Sequence, residues 1–241
     1  MRGKARNRRP EYLPAPVRTP RSAAWTLTYI KVPSPGTGEY GPVPTLPAAM
    51  SKVLDTIRDE HRSIYAVLDA LRYLTRHNLT SEVTVDPKIF RTMLHYLETY
   101  AERLHHPKED RYLFAAMRQF GPQAEAVIAG LERDHAGGER ALRDLDHCLA
   151  RCELAGEKRF AAFANAVEDY ARDYIVHMKK EEDEVFPLAL KLLTPGDWAV
   201  IDAAYSAEHD PFIAEQERQD LRGILDRIVR LAPPPVGVGP A

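Results

Sequence analysis

The chain has 241 residues, a formal net charge of −2 and ordinary apolar and charged fractions, so it can build one substantial core with appendages, and its charge gives no reason to expect nucleic acid or an anionic membrane as partner. No apolar run approaches the roughly 20 residues of a membrane span. Two cysteines, Cys148 and Cys152, are too few for a disulfide scaffold, and a reducing, cytoplasmic compartment is expected.

Residues 1–49 differ from the rest of the chain. They carry Arg2, Lys4, Arg6, Arg8, Arg9, Arg18, Arg21 and Lys31 against only Glu11 and Glu39, and nine of the nineteen prolines fall here. No periodic apolar stripe runs through them, so they cannot bury enough surface to offset chain ordering, and a disordered basic extension is expected. A targeting peptide is the competing expectation, but the patch around Ala23 to Ile30 is interrupted by threonines and makes a poor signal-peptide core. Helical sequence begins immediately after Met50, which makes Met50 a candidate native start.

From Ser51 to about Arg76 the apolar positions Leu54, Ile57, Ile64, Leu68, Leu71 and Leu74 recur at the helix period, and His61 fills the one gap of seven. His61 therefore points into the core. Residues 77–85 are expected to form a loop. Asp86-Pro87 then opens the second helix as N-cap and first helical residue. Its stripe runs Phe90, Leu94, Leu97, Ala101, His105, Glu109, Tyr112 and Ala116, so ionisable groups replace apolar ones midway. Pro107 lies between His105 and Glu109 and should kink or loosen that turn.

Gly121-Pro122 opens the third helix, striped by Ile128, Leu131, His135, Leu142, Leu145 and Leu149, with Glu139 one turn beyond His135. Gly137 and Gly138 weaken the helix there, and close approach of a neighbouring helix or a small ligand is the expected compensation. The fourth helix starts near Glu157 and carries Phe160, Phe163, Val167, Tyr170, Tyr174, His177, Glu181 and Leu188, with Pro187 near its end. Thr194-Pro195 and Asp210-Pro211 each cap a further helix; the last is striped by Leu221, Ile224, Ile228 and Leu231. No strand pattern of any length occurs. The expected architecture is all-α: an up-down-up-down four-helix bundle over 50–193, C-terminal helices over 194–232 and a loose tail over 233–241.

Four imidazoles and two carboxylates thus occupy positions where leucines belong: His61, His105, Glu109, His135, His177 and Glu181. His105 with Glu109, and His177 with Glu181, are four residues apart, which puts both members of each pair on one helix face, roughly 5–6 Å apart at Cβ. A buried ionised carboxylate costs several kcal/mol unless charge or strong hydrogen bonds compensate it. For any one of these histidines, an ordinary protein partner is the simpler expectation. For the whole set, two metal ions bridged by the carboxylates account for more, and nitrogen and oxygen donors without thiolate suit iron, manganese or zinc. Ferritin-like di-iron proteins space their ligands as Glu-x-x-His, which is not the pattern here.

In order and spacing, His61, His105-x-x-x-Glu109, His135 and His177-x-x-x-Glu181 resemble the bacterial hemerythrin-like, HHE cation-binding family over about Met50 to Leu193. The resemblance implies two non-haem Fe ions in a four-helix bundle, with the four histidines as terminal ligands and Glu109 and Glu181 as bridges. The oxygen-carrying hemerythrins resemble HxxxH on the third helix and HxxxxD on the fourth. Here the third helix has His135 and Glu139, and Glu182 merely stands at the longer spacing of the fourth. One terminal histidine fewer would leave open positions on the ions, which favours reaction with a small oxidant (oxygen, nitric oxide or peroxide, with an unidentified electron donor) over reversible carriage. A metal-binding sensor or an iron donor of the iron–sulfur repair type, acting through a partner protein, is the alternative. A homodimer or partner contact is expected on the C-terminal helix. Glu139 is weighed as a seventh ligand.

Several other residues are expected to be structural. His106 and Asp110, one position off the stripe, are expected on a solvated face, and Tyr65, Tyr112 and Tyr174 in core packing one turn from a ligand. His147, Cys148 and Cys152 form no matching cluster, and His77, His95 and His209 no constellation.

Overall fold

The computed structural model describes residues 52–80, 85–155, 159–207 and 211–239. The basic segment 1–49 and the start at Met50 lie outside the described residues, as do His209 and the Asp210 cap. Among those described there are six helices and no strand.

Helix α1 spans Lys52–Thr80. It runs one turn past the expected end. Residues 77–80 stay helical, with the Thr80 hydroxyl donating to the Arg76 carbonyl at 3.1 Å and the His77 ring stacked on Tyr73. Helix α2 is one unbroken run of helical backbone: α-helical Pro87–Tyr96, π-helical Leu97–His105, α-helical His106–Lys108, π-helical Glu109–Phe114 and α-helical Ala115–Arg118. Its N-cap is Asp86, whose carboxylate accepts from Lys88 N at 2.9 Å. Gly121, at φ 93°, ends it, a left-handed conformation that costs glycine nothing. Helix α3 is Pro122–Ala155. Helix α4 is α-helical over Phe160–Lys180, π-helical over Glu181–Val185 and α-helical again over Phe186–Leu192. Helices α5 (Pro195–Ala207) and α6 (Pro211–Leu231) complete the fold.

Two of the three π stretches have a local cause. Proline lacks a donor N–H, and its ring clashes with the carbonyl four residues back. For Pro107 that residue is Arg103 and for Pro187 it is Asp183, and each lies in a π-helical stretch. The wider turn relieves the clash without breaking the helix. Both His-x-x-x-Glu pairs border such a turn.

The core is split in two. One apolar cluster includes Ile64, Leu68, Leu71, Phe90, Leu97, Leu145 and Phe163; the other includes Ile57, Leu113, Phe114, Ile128, Leu131, Phe186 and Trp198. Along α1 to α4, the ligand-type residues fall between them. α5 packs Trp198, Ile201 and Tyr205 into the second cluster. α6 lays Leu221, Ile224, Ile228 and Leu231 on the first. Both C-terminal helices therefore cover the bundle. α5 is fixed by a capping pair, Asp197 N on the Thr194 hydroxyl and Thr194 N on the Asp197 carboxylate.

The expected loose tail is instead folded back over residues 233–239. Val238 N donates to the Val229 carbonyl at 2.8 Å and Gly239 N to that of Ala232 at 2.9 Å, which satisfies the end of α6 while Val236 enters the core. Gly237 and Gly239 lie too close to backbone carbonyls to admit a Cβ. No helix among the described residues is long and apolar enough to cross a membrane.

Candidate metal centre

All six ligand-type residues converge in the layer between the two apolar clusters. His61, His105, Glu109 and Glu181 form one group, and Glu109, Glu181, His135 and His177 the other; within each, one donor atom per residue lies within 4.8 Å of the rest. Both groups share both glutamates. From His61 Nε2 it is 3.7 Å to Glu109 Oε1 and 3.2 Å to Glu181 Oε2, and His105 Nε2 is 3.5 Å from Glu109 Oε1. Across the layer, His135 Nε2 is 3.6 Å from Glu109 Oε2 and 3.7 Å from Glu181 Oε1, and His177 Nε2 is 3.4 Å from Glu181 Oε1. Each glutamate therefore turns an oxygen to each pair of rings.

Most of the inward-facing atoms lack hydrogen bonds; the exception is His135 Nε2, which lies 3.2 Å from His177 Nε2. Both carboxylate oxygens of Glu109, both of Glu181, and Nε2 of His61 and His105 are buried without a partner. Four orphaned carboxylate oxygens in one buried layer would be strongly destabilising as a protein-only arrangement. Divalent cations ligated by these atoms would satisfy all of them, so the donor set fits a two-ion site.

The outer nitrogens face acids. His61 Nδ1 bonds Glu182 Oε1 at 2.8 Å, His105 Nδ1 bonds Glu60 Oε2 at 2.8 Å, and His135 Nδ1 bonds Asp110 Oδ1 at 3.1 Å. The nearest acid to His177 Nδ1 is Asp134, at 3.8 Å. An ionised carboxylate only accepts, so Nδ1 carries the proton in the three bonded rings and Nε2 is the atom left for an ion. Glu60 also receives Lys108 Nζ at 3.3 Å and the Tyr205 hydroxyl at 3.1 Å.

With protons as the cations, charge is shared unevenly. Burial lowers the tendency of His61 to protonate, but Glu109, Glu181 and Glu182 outweigh it and raise its pKa well above the usual value. His135 is likewise raised against burial, to about 10, by Asp110, Glu181 and Glu109. At His105 and His177 burial dominates and lowers the pKa. Burial and the neighbouring Glu181 push the Glu109 carboxyl up. Burial works against ionisation of Glu60 too, yet His105 and Lys108 hold it down at about 2.

Two expectations about neighbours are corrected. His106 is not on a solvated face: it is buried, its Nδ1 bonds Glu102 at 3.1 Å, its Nε2 bonds the Tyr174 hydroxyl at 2.7 Å, and its ring stacks on His135 at 3.9 Å. Its donor atoms also lie within 4.8 Å of those of His135 and His177. However, the two stacked rings are inclined by only 12°, so both cannot aim an in-plane lone pair at one ion. His106 supports His135 rather than joining it. Asp110 belongs to the His135 hydrogen bond, and Tyr174 to His106, beyond simple packing. The π turns on either side of residues 106–108 bring an extra residue to the core, which a straight-helix stripe does not anticipate.

Glu139 is exposed and pairs with Arg143 at 2.5 Å, away from the layer. The close approach expected at the glycine pair involves Gly138 alone, where a Cβ would lie 3.3 Å from Glu102 Oε1. Glu60, Asp134 and Tyr205 went unforeseen. Their partners are on other helices, so no spacing within one segment signals them. Cys148 and Cys152 are half-buried free thiols against the first apolar cluster.

A family model described as Hemerythrin HHE cation binding domain matches residues 52–189, more than half of the chain, covering α1, α2, α3 and α4 as far as Ala189. No curated protein and no solved structure matches the chain.

Proposed function

The chain belongs to the hemerythrin HHE cation-binding family, and from that premise we propose that it holds two non-haem iron ions and uses them to bind or reduce a small oxidant. The observation that carries this reading is the pair of donor groups sharing Glu109 and Glu181, whose four buried oxygens make no hydrogen bond. On this assignment His61 and His105 hold one ion, His135 and His177 the other, and the two glutamates span them. Four protein donors per ion leave positions for oxygen, nitric oxide or peroxide. Bound iron would supply the electron transfer to that molecule.

The chain's own residues do the rest. Glu182, Glu60 and Asp110 hold the Nδ1 protons and so keep each Nε2 directed inward. Phe186 stacks on His61 and Phe114 on His135, which sets an apolar ring against one imidazole of each pair. A second reading, an iron donor or sensor acting through a partner protein, draws support from His177, whose Nδ1 has no hydrogen-bond partner and so anchors its ion least.

The test is to load the full chain anaerobically with ferrous iron, measure metal content and Mössbauer spectra, then mix it with peroxide or nitric oxide. Two exchange-coupled irons per chain that consume the oxidant are expected. A single ion, or zinc held in preference to iron, would overturn the assignment. Two irons released to a chelator or partner without oxidant turnover would favour the donor reading.

A further inference from the structure

The matched family domain ends at Ala189, yet α5, beyond it, reaches the metal layer. We infer that Tyr205 is a positioning residue for the ion held by His61 and His105, acting through Glu60; this rests on the two-iron reading above. The Tyr205 hydroxyl donates to Glu60 Oε2 at 3.1 Å, and that same oxygen accepts from His105 Nδ1 at 2.8 Å. Lys108 Nζ occupies the other oxygen at 3.3 Å and lies 5.3 Å from the centre of the Tyr205 ring. Glu60 is thus held by three donors, and its acceptor strength toward His105 depends on the other two.

Hydrogen-bond competition sets the effect. A carboxylate oxygen shared between two donors pulls less on each. Removing the tyrosine hydroxyl leaves Oε2 to His105 alone, draws the Nδ1 proton further toward Glu60, and makes Nε2 a stronger electron donor to its ion. A more electron-rich imidazole stabilises the oxidised metal, so the midpoint potential of that iron falls. α5 has its own anchors, Asp202 accepting from Val53 N at 3.1 Å and Trp198 and Ile201 in the core, so Tyr205→Phe removes the hydroxyl without undocking the helix.

The experiment compares wild type, Tyr205→Phe, Glu60→Gln and the double variant, each as the full chain loaded anaerobically with ferrous iron. Tyr205→Phe should retain two irons, shift one of the two Mössbauer doublets, and lower one midpoint potential. In the Glu60→Gln background, the same substitution should have a much smaller effect, because a neutral amide oxygen pulls far less on the His105 proton than a carboxylate does. Unchanged doublets and potentials in Tyr205→Phe would overturn the inference, as would an equal shift in the Glu60→Gln background. A wild type that fails to load two irons would instead refute the two-iron reading itself.

Discussion

The two halves of the layer of ligand-type residues share Glu109 and Glu181 but not their surroundings. On one side His61 and His105 are wholly buried, and each is fastened through Nδ1 to an acid at 2.8 Å. On the other, His135 and His177 are 7% and 6% exposed, the Asp110 bond is 3.1 Å long, and Asp134 stands 3.8 Å from His177. The first half is closed by α5 through Tyr205, whereas the second is backed by the stacked ring of His106. The same ligand chemistry is therefore set in one rigid and one looser cradle, and outer acids rather than ligand identity make the difference.

The largest expected effect removes what the halves share. Glu109→Ala or Glu181→Ala should abolish the coupled iron pair, read as loss of exchange coupling with iron falling below two per chain. If either variant kept two coupled ions, the bridging assignment would be wrong. Next, the halves should part under a chelator: iron release should be biphasic, and His177→Ala should delete the fast phase while His105→Ala deletes the slow one. Equal rates from both halves would erase the comparison.

A smaller contrast lies in the outer acids. Glu60→Ala should weaken its ion by about 10- to 100-fold, the usual range for such partners. Asp134→Ala should cost at most a few-fold, since that acid is half-exposed and makes no hydrogen bond to His177. Competitive titration with a metal-sensitive dye measures both. Glu139→Ala should change neither iron content nor melting temperature, because Glu139 is exposed and its ion pair is with exposed Arg143. Loss of iron in that variant would restore it as a ligand.

Much of the metal layer is legible along the chain. The gap of seven that His61 fills, and the two His-x-x-x-Glu pairs, are visible because a helix buries a residue about every 3.6 positions, so a polar group on the stripe announces itself. The loop expected over 77–85 and the loose tail expected after Pro233 both differ from the structure, for opposite reasons. Helix α1 continues through 77–80 beyond its apolar stripe, with the Thr80 hydroxyl on the Arg76 carbonyl and His77 stacked on Tyr73. The tail is ordered by backbone bonds to the end of α6 and by burial of Pro233 and Val236, which composition does not reveal.

By itself the sequence determined the helical class, the six inward-facing ligand-type residues and the family pattern, since each depends on spacing within a single helix. Tertiary structure decided which acid serves which imidazole. Glu60 meets His105 across 45 residues, His61 meets Glu182 across 121, and Tyr205 meets Glu60 across 145. Such pairings depend on how far each helix is rotated and slid against its neighbour, and in α2 and α4 on where π turns widen the coil. Those quantities emerge only when the faces pack.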